Sequence, residues 1–188
     1  MRLSEVTGAA KLRVYLIRRR TLLLVVLPVL VLLGAHPRPV PYAIGVLLVL
    51  LGQALRFWSA GYIVKATQLT TTGPYAHVRN PLYLGSLLIT CGWGAMSGRW
   101  ELAALLVLVF AVTHGLSIAA EERYLRARFG AQFEEYCRQV PRLWPRLCVR
   151  PNSGGHFSWQ QAIRCDSEGV NAVCVGLLAA IYGTRLWW

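Results

Sequence analysis

Apolar residues in this chain are gathered into blocks rather than scattered along it. Four of them, residues 21–35, 42–63, 81–97 and 100–120, approach or reach the roughly twenty apolar residues that cross a hydrocarbon core, and a weaker fifth occupies 170–188. Ser97-Gly98-Arg99 is a short turn between the third and fourth blocks. The chain is therefore expected to cross and return at once, which leaves the polar stretches before residue 81 and after residue 120 on the same face. From Trp100 to Glu121 a helix would rise about 32 Å, enough to recross the core. Beyond it, Leu125, Phe129, Phe133, Tyr136 and Val140 recur three or four residues apart amid charges, the pattern of an amphipathic helix along the headgroups. Gly130 is a weak point in that helix, and Val140-Pro141-Arg142 ends it. The predicted fold is all-α: a polytopic integral membrane helix bundle of about five transmembrane helices with a cytoplasmic amphipathic helix, forming one domain over residues 1–188.

Composition agrees with this pattern. Apolar residues make up 55% of the chain, too many for a soluble protein of this length to stay dispersed. The twenty basic residues against eight acidic ones sharpen the picture through their placement. Arg2, Lys11, Arg13 and Arg18-Arg19-Arg20 precede the first block, Lys65 and Arg79 lie between the second and third, and eight arginines lie between Arg123 and Arg164. The opposite loops hold only Arg38 and Arg99. This positive-inside bias puts the N-terminus, the 65–80 loop and the 121–169 segment in the cytoplasm, of an inner or plasma membrane if the source is bacterial. It also explains the basic excess without nucleic acid, and anionic lipid headgroups are the expected electrostatic partner. Residues 1–35 resemble a signal peptide, but the long basic stretch and the immediate second block favour an uncleaved anchor. Trp187-Trp188 would be interfacial anchors at the far end. The five cysteines have no paired metal-ligand spacing and read as reduced and structural.

Two polar clusters carry candidate chemistry. In Gly73-Pro74-Tyr75-Ala76-His77-Val78-Arg79-Asn80-Pro81-Leu82-Tyr83-Leu84-Gly85, a turn-rich segment opens into an apolar helix. Asn80 suits an N-cap and Pro81 the first helical position, so the first-turn amides and the helix dipole make a local site for a carboxylate or phosphate. In the fourth block, His114, Ser117 and Glu121 recur at spacings of three and four and share a face. Glu121 is level with the start of the third helix, and such groups face a cavity or partner rather than lipid. Glu122 reads as an ordinary ion pair with Arg126, four residues on.

Taken in order, Gly73-Pro74-Tyr75, Arg79-Asn80-Pro81-Leu82-Tyr83-Leu84-Gly85, Glu121-Glu122-Arg123-Tyr124-Leu125, Phe129-Gly130-Ala131-Gln132-Phe133-Glu134-Glu135-Tyr136 and Val140-Pro141-Arg142 resemble the consecutive signatures of the integral-membrane methyltransferases, which include isoprenylcysteine carboxyl methyltransferases and phospholipid N-methyltransferases. The resemblance covers residues 65–145. It implies an S-adenosylmethionine site on the cytoplasmic side, with contacts from Gln68, Leu69, Thr70, Tyr75, Asn80, Pro81 and Tyr83, and Glu121 as the acidic partner. It also implies a lipophilic substrate entering from the bilayer.

Three departures from the family pattern stand out. Asn80 replaces the usual histidine after the arginine, Thr67 replaces a frequent loop histidine, and Ser117 occupies the position of a substrate-binding arginine in the carboxyl methyltransferases. An isoprenylcysteine carboxylate would lose its counter-ion there. Methyl transfer to a carboxylate needs no base, whereas an amine must lose a proton, for which His114 or Glu121 is the candidate. His114 and Ser117 would then border the substrate. Two other readings fit the residues: a membrane reductase of the sterol type using NADPH, and a non-catalytic membrane protein that binds lipid or a partner.

Overall fold

A computed structural model describes residues 34, 36–63, 68–146, 155–164 and 168–184. The expected first span at 21–35, apart from Gly34, and the positions Thr67, Cys148, Cys165 and Trp187-Trp188 lie outside them. Seven helices and no strand occur among the described residues: α1 Pro39–Tyr62, α2 Pro74–His77, α3 Pro81–Met96, α4 Trp100–Phe129, α5 Ala131–Gln139, α6 Trp159–Arg164 and α7 Glu168–Gly183. Helices α1 and α4 are long and apolar enough to cross a membrane; α3 and the 172–183 part of α7 are apolar but shorter.

The helix limits follow from local chemistry. α1, α2 and α3 each begin at or next to a proline, whose fixed φ suits the first turn. The turn between α3 and α4 needs Gly98 at φ 65°, and Ser97 Oγ ties it by donating to Gly94 O at 2.6 Å while accepting from Arg99 N at 3.2 Å. α4 does not stop at residue 120. Nothing in Glu121 to Phe129 breaks a helix, so it continues to Gly130, whose φ of 50° and ψ of −123° only glycine adopts readily. The amphipathic stretch expected as one helix is therefore divided, with Leu125 and Phe129 on α4 and Phe133 and Tyr136 on α5.

α1 and α3 pack antiparallel through glycines seven residues apart on each helix. A Cβ on Gly52 would lie 2.6 Å from Gly85 O, and one on Gly92 would lie 2.7 Å from Gly45 O. Small residues let the two backbones approach, the usual device of helices in lipid. Val49, Trp93, Met96, Leu106 and Tyr182 form the main core, so α1, α3, α4 and α7 all contribute. Tyr42 Oη donates to Ala179 O at 2.8 Å and joins α1 to α7. Ile44, Leu47, Leu51, Leu108, Leu177 and Ile181 are exposed on the outer faces, where a bilayer would cover them.

Arg56, a cation in the apolar α1, turns inward onto α3. Its Nη1 donates to Ser86 Oγ and, at 3.4 Å, to Leu82 O. Residues 155–164, to which sequence alone gives no role, fold over the end of α1. Ser158 N donates to Gly61 O at 3.0 Å, and Trp159 packs against Phe57 and Phe157.

Candidate functional site

The loop of residues 68–80, the far end of α4 and the segment 136–146 meet at one end of the α3/α4 hairpin. Their junction is polar. Glu122, on the last turns of α4, is 8% exposed and receives Arg142 Nε at 3.1 Å on Oε1 and Arg142 Nη2 at 2.6 Å on Oε2. Arg79 Nη1 stands 3.2 Å from the same Oε1 and donates to Cys137 Sγ at 2.8 Å. Asn80 Nδ2 donates to Arg142 O at 3.1 Å and to Glu122 Oε1 at 3.4 Å.

Backbone bonds run along the same seam. Arg79 N donates to Pro141 O at 2.9 Å, and Arg146 N donates to His77 O at 2.9 Å while His77 Nδ1 donates to Arg146 O at 2.8 Å. Tyr136 Oη donates to Tyr75 O at 2.7 Å. Burial pushes the Tyr136 hydroxyl above the usual tyrosine range. Beneath the seam Phe133, Tyr136 and Val140 form a small apolar core with Leu69, Leu125, Phe129 and Cys137. The apolar face of the amphipathic stretch is thus covered by protein, Leu69 included.

A second group lies deeper along α4. His114 is 3% exposed, stacked on Phe110 with ring centroids 4.1 Å apart and met edge-on by Tyr83 at 5.7 Å. Thr113 Oγ1 donates to Val109 O at 2.7 Å, so at 3.0 Å its oxygen accepts from His114 Nδ1. This network assigns the ring proton to Nδ1 and leaves the lone pair on Nε2. Ser117 Oγ donates to Thr113 O at 3.0 Å.

The expected site residues fall into place unequally. Tyr83, His114 and Ser117 come together on the α3/α4 face. Leu69, Tyr75 and Asn80 come together against the 136–146 segment, and Pro81 is buried at the start of α3. Gln68 is exposed and Thr70 half-buried in the loop. Asn80 does occupy the N-cap position, but its side chain makes no capping bond because Glu122 and Arg142 hold it. Glu121 is exposed, and it is Glu122 that enters the junction.

The pairing of Glu122 with Arg126 does not form; Arg126 pairs with Glu134 instead. The reason is that the Glu122 carboxylate is already held by Arg142, Arg79 and Asn80. Buried positions on α4 follow Leu106, Phe110, His114, Ile118 and Glu122, a four-residue ridge that winds about 40° per step. Arg142 and Cys137 were missed by the sequence reading, and the only signal for Arg142 was its place in Val140-Pro141-Arg142. Among the described residues no group of three or more His, Cys, Asp or Glu side chains gathers as a metal site.

Residues 40–132, from the first turn of α1 to the first turn of α5, match the model of the phospholipid methyltransferase family. This segment belongs to that family. The chain is 40% identical over 108 residues to the nickel-cobalt-cadmium resistance protein NccN of Alcaligenes xylosoxydans xylosoxydans, covering 56% of this chain and 50% of the relative. It is 33% identical over 90 residues to the protein-S-isoprenylcysteine O-methyltransferase of Schizosaccharomyces pombe, covering 48% and 38%. Over 76 residues it is 41% identical to methanethiol S-methyltransferase 2 of Bradyrhizobium diazoefficiens, covering 40% and 28%. The chain thus spans about half the length, or less, of these relatives. No solved structure matches it. The match links residues 40–132 to the phospholipid methyltransferase family, and the two long apolar helices fit a membrane protein. The family segment holds the 68–80 loop, His114 and both glutamates; Arg142 and the strap it belongs to lie beyond it.

Proposed function

We infer that this protein is an S-adenosylmethionine-dependent methyltransferase acting at a membrane on a lipophilic or amphiphilic acceptor. The observation that carries the reading is the meeting, at one end of the α3/α4 hairpin, of the 68–80 loop with the glutamate-bearing end of α4, within a segment of the phospholipid methyltransferase family. The residues there suit the cofactor. The Asn80 side chain is turned away from its own helix, so it does not cap the first turn of α3, where a carboxylate is favoured. Gln68, Leu69, Thr70, Tyr75, Pro81 and Tyr83 would line the cofactor, and the exposed Glu121 carboxylate would accept hydrogen bonds from its ammonium or ribose hydroxyls. When bound, the cofactor supplies an electrophilic sulfonium methyl.

His114 and Ser117 border the acceptor in this reading. The Ser117 hydroxyl is engaged with Thr113 O and brings no positive charge, which disfavours a carboxylate acceptor at that point. With its proton on Nδ1, His114 offers Nε2 as a base, so an acceptor that must lose a proton, an amine or a thiol, suits the site better. Phe110 and Tyr83 pack on the His114 ring, which is buried away from bulk water. We place the N-terminus, the 65–80 loop and the 121–169 segment in the cytoplasm on the arginine bias, and count five spans across one membrane domain. Exposed Trp144 and Trp159, with the surrounding arginines, would rest on anionic headgroups.

The deciding experiment is transfer of radiolabelled methyl from S-adenosylmethionine into lipid and protein fractions of membranes carrying wild type or Glu121→Ala. Label dependent on the wild-type protein is the expected result, and its fraction narrows the acceptor. Absence of both transfer and S-adenosylmethionine binding would sink the methyltransferase reading.

A further inference from the structure

The polar junction contains groups that the reaction above does not use. Asparagine is among the best N-cap residues, yet Asn80 forgoes that bond and donates to Glu122 Oε1 and Arg142 O. Glu122 can hold it because its own carboxylate is fixed from the other side by two parallel bonds from the Arg142 guanidinium, at 3.1 and 2.6 Å. Such a fork fixes orientation as well as distance, which a lysine ammonium does not do. Arg142 is brought there by chain geometry. Val140 ends α5 in an extended conformation, and Pro141 O accepts from Arg79 N at 2.9 Å, so the strap of residues 140–146 runs alongside 77–80.

We propose that Arg142 is a positioning residue, acting through Glu122 and Asn80 to keep the 68–80 loop and the start of α3 in the form that binds S-adenosylmethionine. This rests on the methyltransferase reading. Without the Arg142 fork, Glu122 turns toward Arg79 alone and its hold on Asn80 is lost. The bond from Asn80 to the Arg142 main-chain carbonyl then stands by itself, and Asn80 can swing back to cap α3, covering amides that the cofactor carboxylate would use. The Arg142 side chain is 49% exposed, so its replacement leaves no hole in the packing. It lies outside the family segment of residues 40–132 and acts upon it from beyond.

The test uses the full chain in detergent micelles and reads KM and kcat for S-adenosylmethionine, together with amide exchange of residues 75–80 in the absence of cofactor. Arg142→Ala should raise KM about tenfold, as expected for a lost charge-assisted fork, while kcat stays within about twofold. Arg142→Lys should fall between the two. In an Asn80→Ala background, Arg142→Ala should change KM by less than about twofold, because the group it acts through is gone. Exchange at 75–80 should quicken in Arg142→Ala.

An unchanged KM, a fall in kcat alone, full additivity with Asn80→Ala or unchanged exchange would each overturn the proposal. A wild-type protein with no affinity for S-adenosylmethionine would overturn the methyltransferase reading and the cofactor half of this proposal. Exchange at 75–80 would still tell whether Arg142 orders the loop.

Discussion

The α1/α3 interface and the polar junction at the end of the hairpin are held together by opposite means. Along α1 and α3 the contact depends on missing side chains: Gly45, Gly52, Gly85 and Gly92 bring backbone against backbone. At the junction it depends on long charged side chains from three separate stretches, Arg79, Glu122 and Arg142, converging on one carboxylate. In lipid the hydrophobic effect does not separate two apolar helices from the solvent around them, so close packing must do the joining. At the bilayer edge, water competes for every polar group, and only a converging, partly buried set holds a unique geometry. The first region fixes where the helices are; the second fixes the shape of the loop between them.

Enlarging a glycine is the most damaging way to break this contrast. Gly52→Leu would drive its side chain into Gly85 O, and overpacking of that kind costs about 3 kcal/mol or more where backbone is the obstacle. Gly115→Ala, with nothing within 4 Å, is the matched control. Size-exclusion of detergent extracts should show loss of folded Gly52→Leu protein and a normal yield of Gly115→Ala. Equal behaviour of the two would remove the glycine contact from the account of this fold.

The two adjacent glutamates separate stability from chemistry. Glu122→Ala leaves Arg79 and Arg142 without their carboxylate in a largely buried setting and should cost about 2 to 3 kcal/mol, less than a fully buried pair because Arg142 is half exposed. Glu121→Ala, at an exposed position, should stay within about 0.5 kcal/mol of wild type while losing methyl transfer. Thermal unfolding in detergent with and without S-adenosylmethionine checks both. A destabilised Glu121→Ala beside a normal Glu122→Ala would reverse their roles.

The two regions were not equally legible in the sequence. Apolar block length and the turn at Gly98 gave the apolar helices among the described residues and their order, because those signals are local. The juxtaposition of the 68–80 loop with the α4 end is not local, and it was legible through the hairpin and the family signatures. Which glutamate faces inward was not legible, since one residue on a helix is about 100° and the buried ridge on α4 drifts as it climbs. Neither was the failure of Asn80 to cap α3. That depends on Arg142, 62 residues away, and no propensity records so distant a competitor. The position of α7 within the core was hidden as well, because Tyr182 reads as one aromatic residue in a weak apolar run until Tyr42 is set beside it.

Gly130 sits between the two regimes, at the point where α4 leaves the bundle and α5 folds back on the loop. Its φ of 50° with ψ of −123° disfavours any side chain, so Gly130→Ala should cost about 2 kcal/mol in strain. The alternative open to the variant is to continue α4 straight through, which would pull Phe133 and Tyr136 away from Leu69. Faster proteolysis in the 68–80 loop of Gly130→Ala, with the spans still protected, is the expected outcome. An unaltered digestion pattern would mean that the reversal does not depend on this residue.

The smallest expected effect sharpens the comparison by pH. Tyr136 Oη donates to Tyr75 O at 2.7 Å, and burial keeps its proton bound more tightly in the folded protein than the ordinary 10.0 of an exposed tyrosine. A folded-state value raised above the unfolded one adds stability that is complete below the unfolded value. That stability disappears as the pH climbs through and beyond it. The junction should therefore be indifferent to pH between 7 and 9 as far as this group is concerned, and weaken above about 10. Tyr136→Phe should cost about 1 kcal/mol at neutral pH for the lost bond, and its unfolding temperature should fall less than that of wild type between about pH 9 and 11. Parallel slopes for the two proteins would show that alkaline loosening arises elsewhere. The contact of α1 and α3 rests on backbone packing at the glycines, so protease protection of these two helices should persist over the range in which the 68–80 loop is released.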